Sequence, residues 1–237
     1  LYALLAQAHM NEFGTTRQEL SAVAAKNHRH ALTNEYAQFR REVTIDQVSK
    51  SALVADPLRL LDCSPISDGA AAVVLTTKDV SDPQLKTAEI IGQGHGQDSL
   101  DLASRVSFTE LAATVRAAQQ AYQQAKVAPT DIQAAEVHDC FTIAEILAIE
   151  DLGFFKKGTG GFATLSGETT YGGKLTINPS GGLKACGHPV GATGLKQVAY
   201  MAQRIESGDF TIGLTHNVGG SGATAVVHIL ATKGTYK

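Results

Sequence analysis

Three short stretches of this 237-residue chain combine groups that can carry protons with backbone that side chains leave open: His138-Asp139-Cys140-Phe141, Gly187-His188-Pro189 and Asn217-Val218-Gly219-Gly220-Ser221-Gly222. A cysteine at the start of a helix sits in the positive end of the backbone dipole, which favours the thiolate, so Cys140 is expected to exchange protons near neutral pH. His138 and His188 can each donate a hydrogen bond to a carbonyl oxygen that turns negative in a transition state. The glycine turn from Gly219 to Gly222 leaves backbone N–H groups unshielded, which suits a second oxyanion site. These residue types together describe proton transfer beside an oxyanion, provided that the three stretches meet.

Each residue also has a plainer reading. A lone buried cysteine is usually an inert small hydrophobe, and this is the expectation for Cys63 or Cys186 taken alone. Histidines before helices are often caps, and glycine runs are often only turns. A metal is the sharper rival, because His138 with Cys140 and Cys186 with His188 offer two His/Cys pairs. Structural zinc spacings, however, usually place about two to four residues between ligands, and here one residue intervenes. No metal is expected.

Elements that could position these residues follow from periodicity. Residues 1–13 and 16–32 show helical spacing broken at Gly14, with Thr16 able to cap the second helix. The stretch 34–62 is polar and aperiodic, as in a binding excursion. Ala70 to Leu75 is a wholly apolar run, expected as a strand covered on both faces. Strands are also expected at 88–92, 134–137, 210–215 and 223–231, the last ones antiparallel. Helices are expected at 108–126, with Leu111, Val115, Ala118 and Tyr122 on one side, and at 142–152 and 189–206. The stretch from Gly158 to Gly182 reads as one long irregular loop. The sum is an α/β fold whose strand-to-helix turns gather the reactive residues at one end of a sheet.

Composition removes other classes. Hydrophobic residues make up 43% and charged residues 18% of the chain, as in ordinary globular proteins. The formal net charge is −3 and no long basic run occurs, so no nucleic-acid partner is expected. No apolar run is long enough to cross a membrane and no signal peptide is evident, so the expectation is a cytoplasmic protein with no membrane contact. The three cysteines lack the spacing of a disulfide framework and are expected to be reduced. The chain opens inside an apolar helical pattern, Leu1-Tyr2-Ala3-Leu4-Leu5, and is read as a fragment of a longer protein.

The motif set His138-Asp139-Cys140-Phe141, Asn178-Pro179-Ser180-Gly181-Gly182, Gly187-His188-Pro189-Val190-Gly191-Ala192-Thr193-Gly194 and His216-Asn217-Val218-Gly219-Gly220 resembles the thiolase superfamily, most closely its sterol-carrier-protein-type branch. Ser64-Pro65-Ile66-Ser67-Asp68-Gly69-Ala70-Ala71-Ala72 resembles the last strand of that family's amino-terminal domain, and Tyr171-Gly172-Gly173-Lys174 also fits. The resemblance implies a layered α-β-α-β-α fold. Residues 1–77 would be the incomplete end of the amino-terminal domain with its loop excursion, and 78–237 the carboxy-terminal domain. It implies that His188 activates a nucleophilic cysteine and lines an oxyanion hole, and that His138 holds a water in the same hole. Cys140 would take the acid/base role that other thiolases give to the position of Asn217, and the Gly219 N–H would serve a second oxyanion hole. Asn217, Ser180 and Gly181 would be substrate-binding positions.

None of the three cysteines matches the family's nucleophile, which is expected outside these residues. The resemblance further implies acyl-CoA and CoA as substrates without a bound cofactor, a homodimer or homotetramer, and an accessory acyl-CoA-binding partner. The expected reaction is thiolytic cleavage or Claisen condensation of a 3-ketoacyl-CoA. The alternatives are retro-aldol cleavage of a steroid side-chain CoA thioester and a non-catalytic thiolase-like subunit.

Overall fold

The structure is a computed structural model and describes residues 1–77 and 87–235. Its helices are α1 (Tyr2–Phe13), α2 (Arg17–His30), α3 (Ile45–Lys50), α4 (Ala112–Ala125), α5 (Thr142–Asp151), α6 (Gly160–Leu165) and α7 (Thr193–Glu206). Its strands are β1 (Leu53–Ala55), β2 (Leu58–Arg59), β3 (Ala88–Gln97), β4 (Ala134–Glu136), β5 (Thr176–Ile177), β6 (Ile212–Gly219) and β7 (Thr224–Thr232). The β1–β2 pair stands apart, and the other strands form a five-stranded sheet in the order β3-β7-β6-β4-β5. β4 runs parallel to β5 and β6, while β7 is antiparallel to both β6 and β3. The expected α/β layering and the antiparallel ending are therefore both present.

Strand alternation decides which helix each side chain of β6 meets. Ile212, Leu214 and Val218 join Val227 and Ile229 of β7 against Ala113, Ala117 and Ala121 of α4 and Ile149 of α5. On the opposite face Met201 and Ile205 of α7 pack with Ala134 and Leu230. The same parity sends His216 towards α4, where the Thr114 hydroxyl lies 2.9 Å from its Nε2, and turns the adjacent Asn217 towards α7.

The α4 face differs from the expected one. Its most deeply buried stripe is Ala113, Ala117, Ala121 and Ala125, four residues apart, whereas Val115 and Tyr122 are only half-buried. The cause lies on β3, where a Cβ at Gly94 or Gly96 would collide with the Ala117 or Ala113 carbonyl. Small residues on both sides let the backbones touch. At that distance Gln124 and Gln120 accept hydrogen bonds from the Gln93 and His95 N–H groups at 2.9 and 3.1 Å, which covers the open edge of the sheet.

Three further expectations are corrected. Ala70 to Leu75 forms no strand; Val74 is 97% exposed, and among the described residues no ladder hydrogen bonds hold the run extended. The stretch 158–182 is not one loop but contains α6 and β5. The last long helix begins at Thr193 rather than Pro189, after a π-helical turn at Gly182–Cys186. The boundary expected between residues 77 and 78 falls at the edge of 78–86, which lie outside the described residues. No helix among the described residues is long and apolar enough to cross a membrane.

The α1–α2 hairpin forms as expected: Gly14 takes φ 75° at the end of α1, and Thr16 makes a capping box with Glu19. Along α2 one stripe changes character, from Leu20 and Val23 in an apolar cluster with Leu5 and Ile143 to the buried polar residues Lys26, Asn27 and His30. Lys26 Nζ donates to Glu145 Oε1 at 2.6 Å and to the Ile177 carbonyl at 3.1 Å. Asn27 Nδ2 donates to Glu145 Oε2 at 2.8 Å and to Asp139 Oδ2 at 2.7 Å, and Asn178 Nδ2 also reaches Glu145 at 2.7 Å. Burying these charges is costly unless every one has partners, and here they do. The network fixes the loop after β4 against the loop after β5, the two segments that carry the candidate site.

Candidate functional site

His138 leaves the carboxyl end of β4, and His188 follows the π-helical turn. Asp139 ties the two together: its carboxylate accepts from the Leu183 N–H at 2.6 Å and the Lys184 N–H at 3.1 Å. A Cβ at Gly182 would collide with that carboxylate, so glycine with φ 62° is required there. Burial, and next the neighbouring Glu145, push the Asp139 carboxyl up to about 6. As a result the imidazoles of His138 and His188 stand edge to face, with ring centroids 5.0 Å apart and planes at 89°.

The two rings have defined partners. The Thr193 hydroxyl spends its proton on the Pro189 carbonyl at 3.0 Å, so at 2.8 Å from His188 Nδ1 it can only accept. His188 therefore carries its proton on Nδ1 and presents an unprotonated Nε2. Burial, with help from the Lys196 charge, lowers its pKa and keeps the ring neutral. His138 is held well below the usual histidine range by burial and then by His188, His216 and Lys196. Its Nδ1 lies 3.3 Å from Asn217 Nδ2. A neutral imidazole with a free lone pair beside a second neutral imidazole suits abstraction of a proton next to a polarised carbonyl.

Cys140 departs from its sequence reading. It lies one residue before Phe141, the N-cap of α5, and its thiol is hydrogen-bonded to the Tyr2 hydroxyl within the cluster of Leu111, Ile143 and Ala144. Burial pushes the thiol up to about 12. A helix end contributes about 0.3–1 kcal/mol, less than one decade of acidity, and desolvation wins. Among the described residues no hydrogen bond joins Cys140 to either histidine. Cys186 pairs with Asn34 Nδ2 at 3.4 Å, and among the described residues no group of three or more His, Cys, Asp and Glu side chains is placed to hold a metal ion.

Of the remaining predicted residues, Asn217 meets His138 directly. Gly219 is the last residue of β6, paired with Thr224 and on the same face as Asn217. Ser180 and Gly181 lie further back. The Ser180 hydroxyl donates to Glu136 Oε2 at 2.7 Å and its N–H to Glu136 Oε1 at 2.8 Å, while Gly181 packs on Ala31. Ser180 also borders a cavity of 480 Å³ together with Asn34, Ser67, Cys186, Pro189 and Lys196, which lies beside the histidine pair rather than at it. Glu136, Thr193 and Gln197 were missed from the sequence. Only Thr193 carried a signal, its place four residues after Pro189 within a recognised motif.

Comparison with known proteins identifies the family. Residues 1–79 match the family model described as Thiolase, N-terminal domain, and residues 94–232 match Thiolase C-terminal domain-like. An acetyl-CoA acetyltransferase of Methanothermobacter thermautotrophicus is 49% identical over 98% of this chain and 62% of its own length. Sterol carrier protein 2 of Homo sapiens is 36% identical over 95% of this chain and 44% of its own length. The chain thus spans less than two thirds of the relatives it matches. Among solved structures, an Ltp2-ChsH2(DUF35) aldolase superposes with TM-score 0.86 and 27% identity, covering 99% of this chain and 63% of that one. A monomeric SCP2-thiolase like protein from Mycobacterium smegmatis shares the fold, with TM-score 0.76, 16% identity and coverage of 97% of this chain and 51% of that one. The chain belongs to the thiolase family.

Proposed function

We propose that the chain carries the proton-transfer and oxyanion-binding half of an acyl-CoA C-acyltransferase, which cleaves a 3-ketoacyl-CoA with CoA or runs the reverse Claisen condensation. The observation that carries this reading is the neutral edge-to-face pair of His138 and His188, in which Thr193 places the His188 proton on Nδ1 and leaves Nε2 unprotonated. His188 Nε2 takes the proton of the nucleophilic thiol, which belongs to a cysteine outside these residues. The resulting N–H and the His138 ring then stabilise the thioester oxygen as it becomes negative. Cys140 enters as a protonated thiol and acts first as an acid that returns a proton to the enolate carbon. In condensation it must act as a base, and a nearby positive charge or the bound thioester has to lower its pKa.

The test is CoA-dependent cleavage of acetoacetyl-CoA by the whole protein and by its His188→Ala and Cys140→Ala variants. A fall of about 100-fold or more in kcat is expected for each. Unchanged turnover in either variant removes that residue from the mechanism.

A second reading has a specific observation behind it: the aldolase neighbour superposes over nearly the whole chain, and a thiol held near 12 is a poor base. In that reading the chain performs retro-aldol cleavage of a CoA thioester without an acyl-enzyme, beside an accessory subunit. Trapping a radiolabelled acyl group on the protein supports the acyltransferase, and failure to trap it while an aldehyde or ketone product forms supports the aldolase.

A further inference from the structure

The His138 ring must present a hydrogen to an oxyanion, yet a neutral imidazole can place its proton on either nitrogen. Around this ring the choice is made by a chain of hydrogen bonds that starts at a backbone carbonyl. Gln197 of α7 is 1% exposed and wedged between two consecutive residues of β6. Its Nε2 lies 3.1 Å from the His216 carbonyl oxygen and its Oε1 lies 3.2 Å from Asn217 Nδ2. A carbonyl oxygen only accepts, so the Gln197 amide can be oriented one way, with nitrogen towards His216 and oxygen towards Asn217. Oε1 likewise only accepts, which turns Asn217 Nδ2 towards it and fixes the second amide. The other hydrogen of that same Nδ2 faces His138 Nδ1 at 3.3 Å. A ring nitrogen that accepts this hydrogen carries no proton of its own.

We infer that Gln197 is a positioning residue that, through Asn217, locks the His138 proton on Nε2 and so fixes this ring as a hydrogen-bond donor. The device complements the one at His188, where Thr193 places the proton on Nδ1 and leaves Nε2 bare. Two adjacent rings are thereby set as one donor and one base, and they cannot exchange roles without breaking the hydrogen bonds of Thr193 at one ring and of Asn217 and Gln197 at the other. Gln197 touches no reacting atom; it acts through Asn217, which turns towards α7 by the alternation of β6. The neighbour on the α7 side is Gly194, which has no side chain of its own and where even an added Cβ would make only ordinary contact with the Asn217 amide at 3.6 Å, so no bulky group holds that amide once Gln197 is gone.

The tautomer is independent of any activity, whereas its consequence for rate rests on the proposed thioester chemistry. The experiment is nitrogen-correlated NMR of the whole protein with labelled histidine, with the His138 signals assigned by their loss in His138→Gln. The wild-type ring is expected as a single neutral form protonated on Nε2. In Gln197→Leu both tautomers should appear, and in Asn217→Asp, whose carboxylate can only accept, the proton should move to Nδ1. In Gln197→Leu kcat for acetoacetyl-CoA cleavage should fall by about twofold or more, in proportion to the lost donor form, with the KM for CoA unchanged. A wild-type ring protonated on Nδ1, or a Gln197→Leu ring that stays wholly in the Nε2 form, overturns the relay even if one variant fails to fold. A shifted tautomer with unchanged kcat overturns the positioning role. The expected tautomers in a protein that cleaves no thioester leave the relay standing and defeat the functional reading instead.

Discussion

Glu136 lies fully buried at the end of β4, with its two oxygens engaged by the N–H and hydroxyl of Ser180. Burial outweighs those bonds and the Lys196 charge, and raises its carboxyl from the ordinary 4.5 to about 7. A folded chain that holds the proton more tightly than the unfolded chain is stabilised by it, fully so below about pH 4.5, and loses that stability as pH rises through about 7. Each tenfold difference in proton affinity is about 1.4 kcal/mol, so the whole effect is about 3 kcal/mol, of which roughly 2.5 kcal/mol falls between about pH 5 and about pH 8.5. Glu136→Gln keeps the shape, donates to the Ser180 hydroxyl and cannot ionise. Urea unfolding of both proteins at several pH values in that window measures the difference. The variant should gain on the wild type by roughly 2.5 kcal/mol as pH rises. Curves that run parallel to within about 0.5 kcal/mol would refute the assignment of a raised pKa to this carboxyl.

Other expectations follow from the same packing. Alkylation of Cys140 by iodoacetamide should be slow and should keep rising with pH up to about 10, because burial holds the thiol near 12; a rate that levels off near neutral pH would show a thiolate and contradict the Tyr2-paired thiol. Lys26→Met should cost about 3–5 kcal/mol in urea unfolding, since it strands Glu145 as a buried charge, and a cost below about 1 kcal/mol would contradict the network. Gly94→Ala should cost about 1–3 kcal/mol by driving α4 off β3. At Gly172 nothing lies within 4 Å, so alanine there should cost only the backbone strain of φ 77°, about 1 kcal/mol.

Much of the site was legible in the sequence because its residues sit in short motifs at strand ends, where the chain leaves a regular element and side chains can converge. His138, His188 and Asn217 were found this way, and the structure brings them together. Cys140 shows where such reading stops. Its place before a helix argued for an acidic thiol, but the opposing term is burial against Tyr2, Leu111 and Ile143, which only tertiary packing reveals. The same holds for Gln197, an unremarkable position on a helical face until β6 supplies a carbonyl and an amide to it. Lys26, Asn27 and Glu145 belong to no motif and carry no signal in the sequence; α2 and α5 make them a buried network. The β3 strand was recognised only as far as Gly92, because the alternation of Gly92, Gly94 and Gly96 hides a strand whose packing partner is backbone. The run from Ala70 to Leu75 failed for the converse reason: apolar composition favours a strand only where a partner completes its hydrogen bonds.

The central claim is that two histidines of fixed and opposite protonation flank one thioester carbonyl. The measurement that tests it most directly is a structure of the whole protein with a non-cleavable 3-ketoacyl-CoA analogue bound. The account predicts the thioester carbonyl oxygen within hydrogen-bond distance of His138 Nε2, with His188 Nε2 facing the same acyl carbon. An analogue whose carbonyl sits in the cavity beside Cys186 and Lys196, with neither imidazole in contact, would contradict it.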